Sequence, residues 1–376
     1  MAAGVAVAVL LGVTFAAAAA VKLGGPDGRA VWQPATPTTR PTATPRQQEE
    51  PAEQTRRISL SATGDIVMGN APNALPANNG EGFFDGVKEA LRADLVMGNL
   101  EQPLTDDTGR SKCGAESTGC HQFRAPPAYA RHLKDAGFHV LNQANNHGND
   151  YGPQGYENTQ KALEEHGLAH TGAVDQITVV EVEGVKVAVV GFSPYAGNNS
   201  LLNIGKAEKV IEKATTMADI VVVQVHMGAE GADKNRVRPG TEMFLGENRG
   251  DPIRFAHAMI DAGADLIVGH GPHVLRAVEF YEGRLIAYSL GNFAGGGGTL
   301  SRNGPLGLGA VLKVELEADG TWVSGEFVST NMNGAGKPVT DPTKRSLKMV
   351  TDLSKRDFPQ TGAEFDKSGK IAPPAT

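Results

Sequence analysis

The chain has 376 residues, 40% of them hydrophobic, which fits one large domain with extensions and supplies enough apolar side chains for a sizeable core. A formal net charge of -7 at pH 7 gives no basic footprint of the kind that nucleic-acid binders carry, and excludes nucleic acid as the expected partner. An acidic substrate therefore needs local positive charge or a metal ion to hold it.

Residues 2–21 carry no charge and are almost all Ala, Val, Leu and Gly. The stretch is long enough to span a bilayer, and its small residues equally suit a cleaved export signal. Lys22 and Arg29 follow it, so charge bias does not orient it. Residues 1–23 are expected to be a signal or a membrane anchor. Residues 24–57, rich in Pro, Thr and Gln, cannot bury a core and read as an extended linker. The expected location is the cell membrane with an extracytoplasmic domain, or secretion if the leader is cleaved. Cys113 and Cys120 are the two cysteines. In an exported protein they are expected to pair, closing a loop worth about 2.5 kcal/mol in the chain-entropy model. The alternative is a metal site, for which His121 is the further ligand at hand.

The folded part opens with an alternating stretch, 58–63, which delivers Asp65 at its end. Helical apolar spacing covers 82–92, and a short apolar strand over 94–97 runs into Gly98, Asn99 and Glu101. A polar insertion over 103–125 holds both cysteines. A helix over 127–136 precedes the strand 138–141, which opens into Asn-Gln-Ala-Asn-Asn-His-Gly-Asn-Asp-Tyr-Gly at 142–152. That is more coordinating side chains than a turn needs. A helix over 154–166 and a hairpin of 177–182 with 185–190 follow.

A helix over 206–217 leads to 219–225, almost wholly Val and Ile, as expected of a strand buried on both faces and ending at His226. After an irregular insertion, 229–250, a helix over 252–262 leads to a strand ending in Gly269-His270-Gly271-Pro272-His273. A second hairpin (274–280, 284–289), the Gly295–Gly298 run and closing strands at 310–316 and 321–329 complete the domain. The glycine run is expected to be a loop and lacks the Lys-Ser/Thr of a phosphate cradle. Helices alternating with strands, then hairpins, indicate mixed sheets covered by helices, as a two-sheet α/β sandwich. The domain is expected to span 58–335, followed by a partly disordered extension, 336–376, with one helical stretch at 344–353.

Asp65, Glu101, Asn146, His147, His226, His270 and His273 each stand just past an expected strand, where open α/β sheets collect ligands. Singly they mean little, since an Asp in such a place is commonly a helix cap. Together, carboxylate, imidazole and amide oxygen form a donor set for Mn, Zn or Fe, one or two ions. Arg236, Arg238, Arg249 and Arg254, in or beside the 229–250 insertion, read as solvated charges, with an acidic polymer as the functional alternative.

The pieces GDIVMG (64–69), GNLEQPLT (98–105), NNHGNDYG (145–152), VHMGAE (225–230), DAGADLIVGHGPHVL (261–275) and YSLGNF (288–293) resemble, in order, the CapA family of poly-γ-glutamate capsule synthesis proteins. The domain of that family is similar to calcineurin-like metallophosphoesterases. The resemblance implies a four-layer α/β/β/α sandwich with mixed sheets, and a role in making, exporting or trimming poly-γ-glutamate or another anionic polymer beside membrane synthase subunits. Asp65, Glu101, Asn146, His226, His270 and His273 stand at the metal-binding positions and His147 at the electrostatic or acid position. Asp150 is expected to compensate for Gly148, which replaces an acidic residue. Asn145 and Asn292 are the expected substrate contacts, with a tight turn that packs Phe293 as the equal alternative for 289–293. Departures are Val67 in place of a His, Glu101 in place of an Asp, Met227 in place of a Trp, Gly271 in place of a frequent His, and one extra residue between His270 and His273.

Overall fold

The two central sheets follow from where the Val-, Ile- and Leu-rich stretches lie. In a computed structural model that describes residues 56–114 and 117–375, the strand Arg57–Val67 lies at the middle of a ten-stranded sheet. On one side it pairs in parallel with Leu95–Leu100, then Val140–Asn142 and Ala169–Thr171. On the other it pairs antiparallel with Leu308–Glu317, which carries Trp322–Met332. The second, seven-stranded sheet runs Val185–Ser193, Ile220–His226, Leu266–His270 and Arg284–Ala287 in parallel. Antiparallel hairpin partners lie at both of its edges. At the turns of these hairpins Glu183-Gly184 and Glu282-Gly283 take left-handed backbone, the twist that two-residue hairpins require.

Three apolar clusters define the layers. One joins Leu60 and Leu95 of the first sheet to Val187, Val222 and Val268 of the second, so the sheets are stacked face to face. The outer face of the first sheet is covered by Ala130–Ala136 and Gly152–Glu165 through Leu133, Ala136, Ala162 and Leu163. The outer face of the second is covered by Ile204–Thr215 and Pro252–Asp261 through Ala207, Ile211, Phe255 and Met259. The order helix, sheet, sheet, helix is the four-layer sandwich with mixed sheets. Among the described residues no helix is long and apolar enough to cross a membrane.

The expected leader and linker fall, except for Arg56 and Arg57, outside the described residues. The glycine run is a tight turn rather than a loose loop: a Cβ at Gly297 would lie 1.8 Å from the carbonyl oxygen of Ala74. The C-terminal stretch departs most from expectation. Beyond residue 336 the chain is part of the fold: Pro338–Thr340 and Lys370–Ala372 pair with Trp322–Met332, and Glu364–Phe365 extends that edge. Helix Arg345–Asp357 places Leu347 and Val350 in the inter-sheet core and Leu353 in the outer core. Strands of two or three residues are too short to show an alternating pattern, so only the helix was legible and the polar spacing suggested disorder. Leu353 is 2% exposed, and Leu353→Ala is expected to lower the unfolding free energy by about 2–5 kcal/mol. A change within error, measured by denaturant titration, would show that this helix is not part of the cooperative core.

Candidate metal centre

Strand ends from both sheets meet at one edge of the sandwich. Asp65 lies where the register of its strand shifts against both Leu95–Leu100 and Asn292–Gly295, and such a bulge re-aims a side chain. Glu101 follows the next strand directly, and Asn146 and His147 occupy the turn after Val140–Asn142. His226 and His270 are register partners at the ends of adjacent parallel strands. His273 follows on a turn where its φ of 60° is a strained conformation for a residue with a side chain.

Ligating atoms of Asp65, Glu101 and His226 all lie within 4.8 Å of one another. His270 Nδ1 is 3.7 Å from Asp65 Oδ1. His273 Nδ1 is 3.1 Å from Asp65 Oδ2, and its Nε2 is 3.6 Å from Glu101 Oε1. The structure thus brings the two carboxylates and three imidazoles together. Both Glu101 oxygens, both His226 ring nitrogens, His270 Nδ1 and Asn146 Oδ1 are buried without a protein hydrogen bond. Leaving one such atom unsatisfied costs about 1–3 kcal/mol. A cation shared by Asp65, Glu101 and His226, whose ligating atoms lie within 4.8 Å of one another, would satisfy one atom of each, and the oxygen and nitrogen set suits a divalent ion.

Burial holds His226 well below the usual imidazole range and His270 down to about 4, so both rings are neutral and offer lone pairs at pH 7. Burial and the charge of Asp65 push the Glu101 carboxyl well up. Burial also pushes Asp65 up, but hydrogen bonding and charge from His273 overcome it and hold Asp65 at about 2. Burial opposes the charged form of His273, yet Glu101, Asp65 and Glu230 raise it well above the ordinary value. Both shifts favour the protonated forms of Glu101 and His273, with which a bound cation would compete.

An amide ladder braces the cluster. Asn142 and Asn145 donate to Asn99 Oδ1 at 3.0 and 3.1 Å, and Asn99 donates to Asp65 Oδ1 at 2.8 Å. Gln224 Oε1 lies 3.2 Å from His270 Nε2, which leaves Nδ1 facing Asp65. Such outer contacts fix the orientation of ligands. Two further amides expected to meet substrate have partners within the protein. Asn145 is buried and uses its amide on Asn99, Leu100 O and His147 N. Asn292 donates to Leu306 O and faces His273 Nδ1 at 2.9 Å. Through these contacts both amides support the site from behind.

Asp150 Oδ2 lies 2.7 Å from His147 Nδ1, a pair made possible by their spacing across one turn. Burial lowers the affinity of His147 for a proton, and the Asp150 contact opposes this. Because a carboxylate only accepts, Nδ1 of the neutral ring carries the hydrogen and Nε2 the lone pair. Two site residues were missed in the sequence. Glu230 Oε2 is 3.7 Å from His273 Nε2, and its Oε1 accepts from Arg249 at 2.6 Å. Arg249, read as solvated, is 3% exposed on its side chain and lies over the rings of Tyr195 and Phe244. Glu230 closes the 225–230 stretch, a signal that was available; the burial of Arg249 depends on the fold of an irregular loop and was not. Arg238 and Arg254 are exposed, and Arg236 pairs with Asp357.

Fold and cluster together define a two-sheet α/β protein with a buried metal-ligand set at its strand ends. The model of the bacterial capsule synthesis protein PGA_cap family matches residues 59–296, and the chain belongs to that family. It is 32% identical to the capsule biosynthesis protein CapA of Bacillus anthracis, over 80% of this chain and 75% of that protein. It is 32% identical to the PGA biosynthesis protein CapA of Bacillus subtilis (strain 168), over 79% of this chain and 78% of that one. Among solved structures, a 5'-nucleotidase precursor from Thermus thermophilus is similar with a TM-score of 0.43 at 13% identity, covering 81% of this chain and 60% of that one.

Divalent-metal affinity is expected to rise with pH as Glu101 and His273 become easier to deprotonate, with protons released on binding. Calorimetric titration in buffers of different ionisation enthalpy reads both effects. His226→Ala is expected to lose the ion. Affinity that is flat with pH and insensitive to His226→Ala would contradict the assignment.

Proposed function

We propose that this protein is a membrane-anchored or secreted, extracytoplasmic member of its family. In this reading its strand-end cluster is a metal-dependent hydrolase-type site acting on poly-γ-glutamate during capsule synthesis, export or trimming. The observation that carries the reading is the convergence of buried carboxylate and imidazole atoms of Asp65, Glu101, His226, His270 and His273 at the strand ends. The names of the relatives in the two Bacillus species support the polymer as substrate class. Asp65, Glu101, Asn146, His226, His270 and His273 would hold one or two ions of Mn, Zn or Fe. When bound, the cation supplies Lewis acidity toward the oxygen of the attacked group.

The chain's own residues supply the proton chemistry. His147, held at Nδ1 by Asp150, presents Nε2 to take a proton from attacking water as its oxygen bonds to the γ-carbonyl carbon. The same proton passes to the departing nitrogen when the C–N bond breaks, so His147 ends as it began. Arg249 balances the charge of Glu230 and keeps the rim from repelling a polyanion.

A second reading is a tethered accessory protein that binds nascent polymer beside membrane synthase subunits without cleaving it. Val67 favours it: this side chain is fully buried with Phe123, Leu300 and Met332 and offers no ligand. Purified poly-γ-glutamate incubated with the metal-loaded protein separates the two. Hydrolysis should yield shorter polymer and new amino termini, and His147→Ala should slow it about 10²–10⁴-fold with metal retained. Tight polymer binding with no new termini would overturn the hydrolase reading and leave the accessory one.

A further inference from the structure

The polar insertion that carries the disulfide is folded against the turn that carries Asn146, His147 and Asp150. Cys113 and Cys120 are bonded. The residue beside this bridge, Lys112, reaches that turn at three points. Its Nζ lies 3.1 Å from Asp150 Oδ1 and donates to Asn146 O at 3.0 Å. Its backbone N donates to Asp150 O at 2.9 Å. Asp150 Oδ1 is buried and has no hydrogen bond beyond this ion pair. The far end of the insertion adds Phe123, whose N donates to Asp150 Oδ2 at 2.8 Å and whose ring lies 4.5 Å from that of His147. Gln122 joins the two ends, with its Oε1 accepting from Cys113 N at 3.3 Å and its Nε2 donating to Tyr151 OH at 3.3 Å.

We propose that Lys112, held in place by the Cys113–Cys120 disulfide, is a positioning residue that clamps the 146–150 turn and so sets the geometry of Asn146 toward the metal and of Asp150 toward His147. A four-carbon ammonium side chain that is 37% exposed would leave the turn freely if its backbone were not fixed. The bridge closes a short loop next to it and limits where its Cα can go. One cation then ties the first residue of the turn, through its carbonyl, to the last, through its carboxylate. With the bridge absent, Lys112 keeps its backbone bond to Asp150 O but loses the constraint on its Cα, its side chain leaves for solvent more often, and the buried Asp150 carboxylate then keeps only His147 and Phe123. The site is thereby tied to an oxidising compartment, where such a bridge persists.

The metal part of this inference rests on the reading of the strand-end cluster as a metal centre; the clamp itself does not. The test compares the full-length protein with Lys112→Ala, Lys112→Arg, Cys113→Ser/Cys120→Ser and the triple variant. Two readouts are used: Mn²⁺ affinity by calorimetry, and amide hydrogen exchange of residues 145–152 in metal-free protein. Lys112→Ala and the double Ser variant are each expected to weaken Mn²⁺ binding 10–100-fold, the usual cost of losing an outer contact to a ligand, and to speed exchange in 145–152. Lys112→Arg should restore most of both. The triple variant should be no worse than either parent, because the bridge and the lysine act as one unit. Unchanged exchange and affinity in Lys112→Ala, or losses that add in the triple variant, would overturn the clamp. Wild-type protein that binds no Mn²⁺ would instead overturn the metal reading, with exchange still deciding on the clamp.

Discussion

Buried oxygen and nitrogen atoms that lack protein partners are the constraint on which the rest of this structure depends. Asp65, Glu101, His226 and His270 are fully buried, yet their facing atoms are not hydrogen-bonded to one another. Burial first, and then the charge of the neighbouring Asp65, drive Glu101 toward its neutral form beside an ionised Asp65. A fold selected for stability alone would replace such a group with apolar side chains of similar volume. Keeping it requires a strong scaffold, and the two stacked sheets provide one.

The scaffold also explains the precision of the arrangement. Asp65, Glu101, His226 and His270 sit at or directly after the ends of strands whose other residues are locked between layers, so their backbone positions follow from core packing, whereas Asn146 and His273 are set by their turns. Gly269 shows how tight this is: a Cβ there would lie 2.2 Å from Tyr288 O, so only glycine lets the His270 strand pass its neighbour. The Asn142/Asn145–Asn99–Asp65 ladder then removes the remaining rotational freedom of one carboxylate. The opposing rim, built from the 229–250 insertion, supplies Arg249 and Glu230 as a charge-balanced pair rather than as a basic surface.

Much of this was legible in the sequence. Buried strands announced themselves through runs such as Val221-Val222-Val223, and the ligands through their place just after those runs. What was not legible falls into two kinds. Strands of two or three residues, as at 338–340 and 370–372, carry too little pattern to be told from a polar tail. Side-chain partners are likewise invisible: that Asn145 bonds Asn99 and Leu100, and Asn292 bonds Leu306 and faces His273, cannot be read from residue type. Arg249 looks solvated by type and is buried between two rings. In each case the deciding fact is a contact across the fold, which local pattern does not encode.

The central claim is that a divalent ion belongs among Asp65, Glu101, Asn146 and the three histidines. Crystals of the protein soaked in Mn²⁺ and measured by anomalous X-ray scattering test it most directly. The account predicts an anomalous peak within coordinating distance of Asp65, Glu101 and His226, with the unpartnered atoms as its ligands. A map with no peak there, and with those side chains turned to hydrogen-bond one another or water, would contradict it.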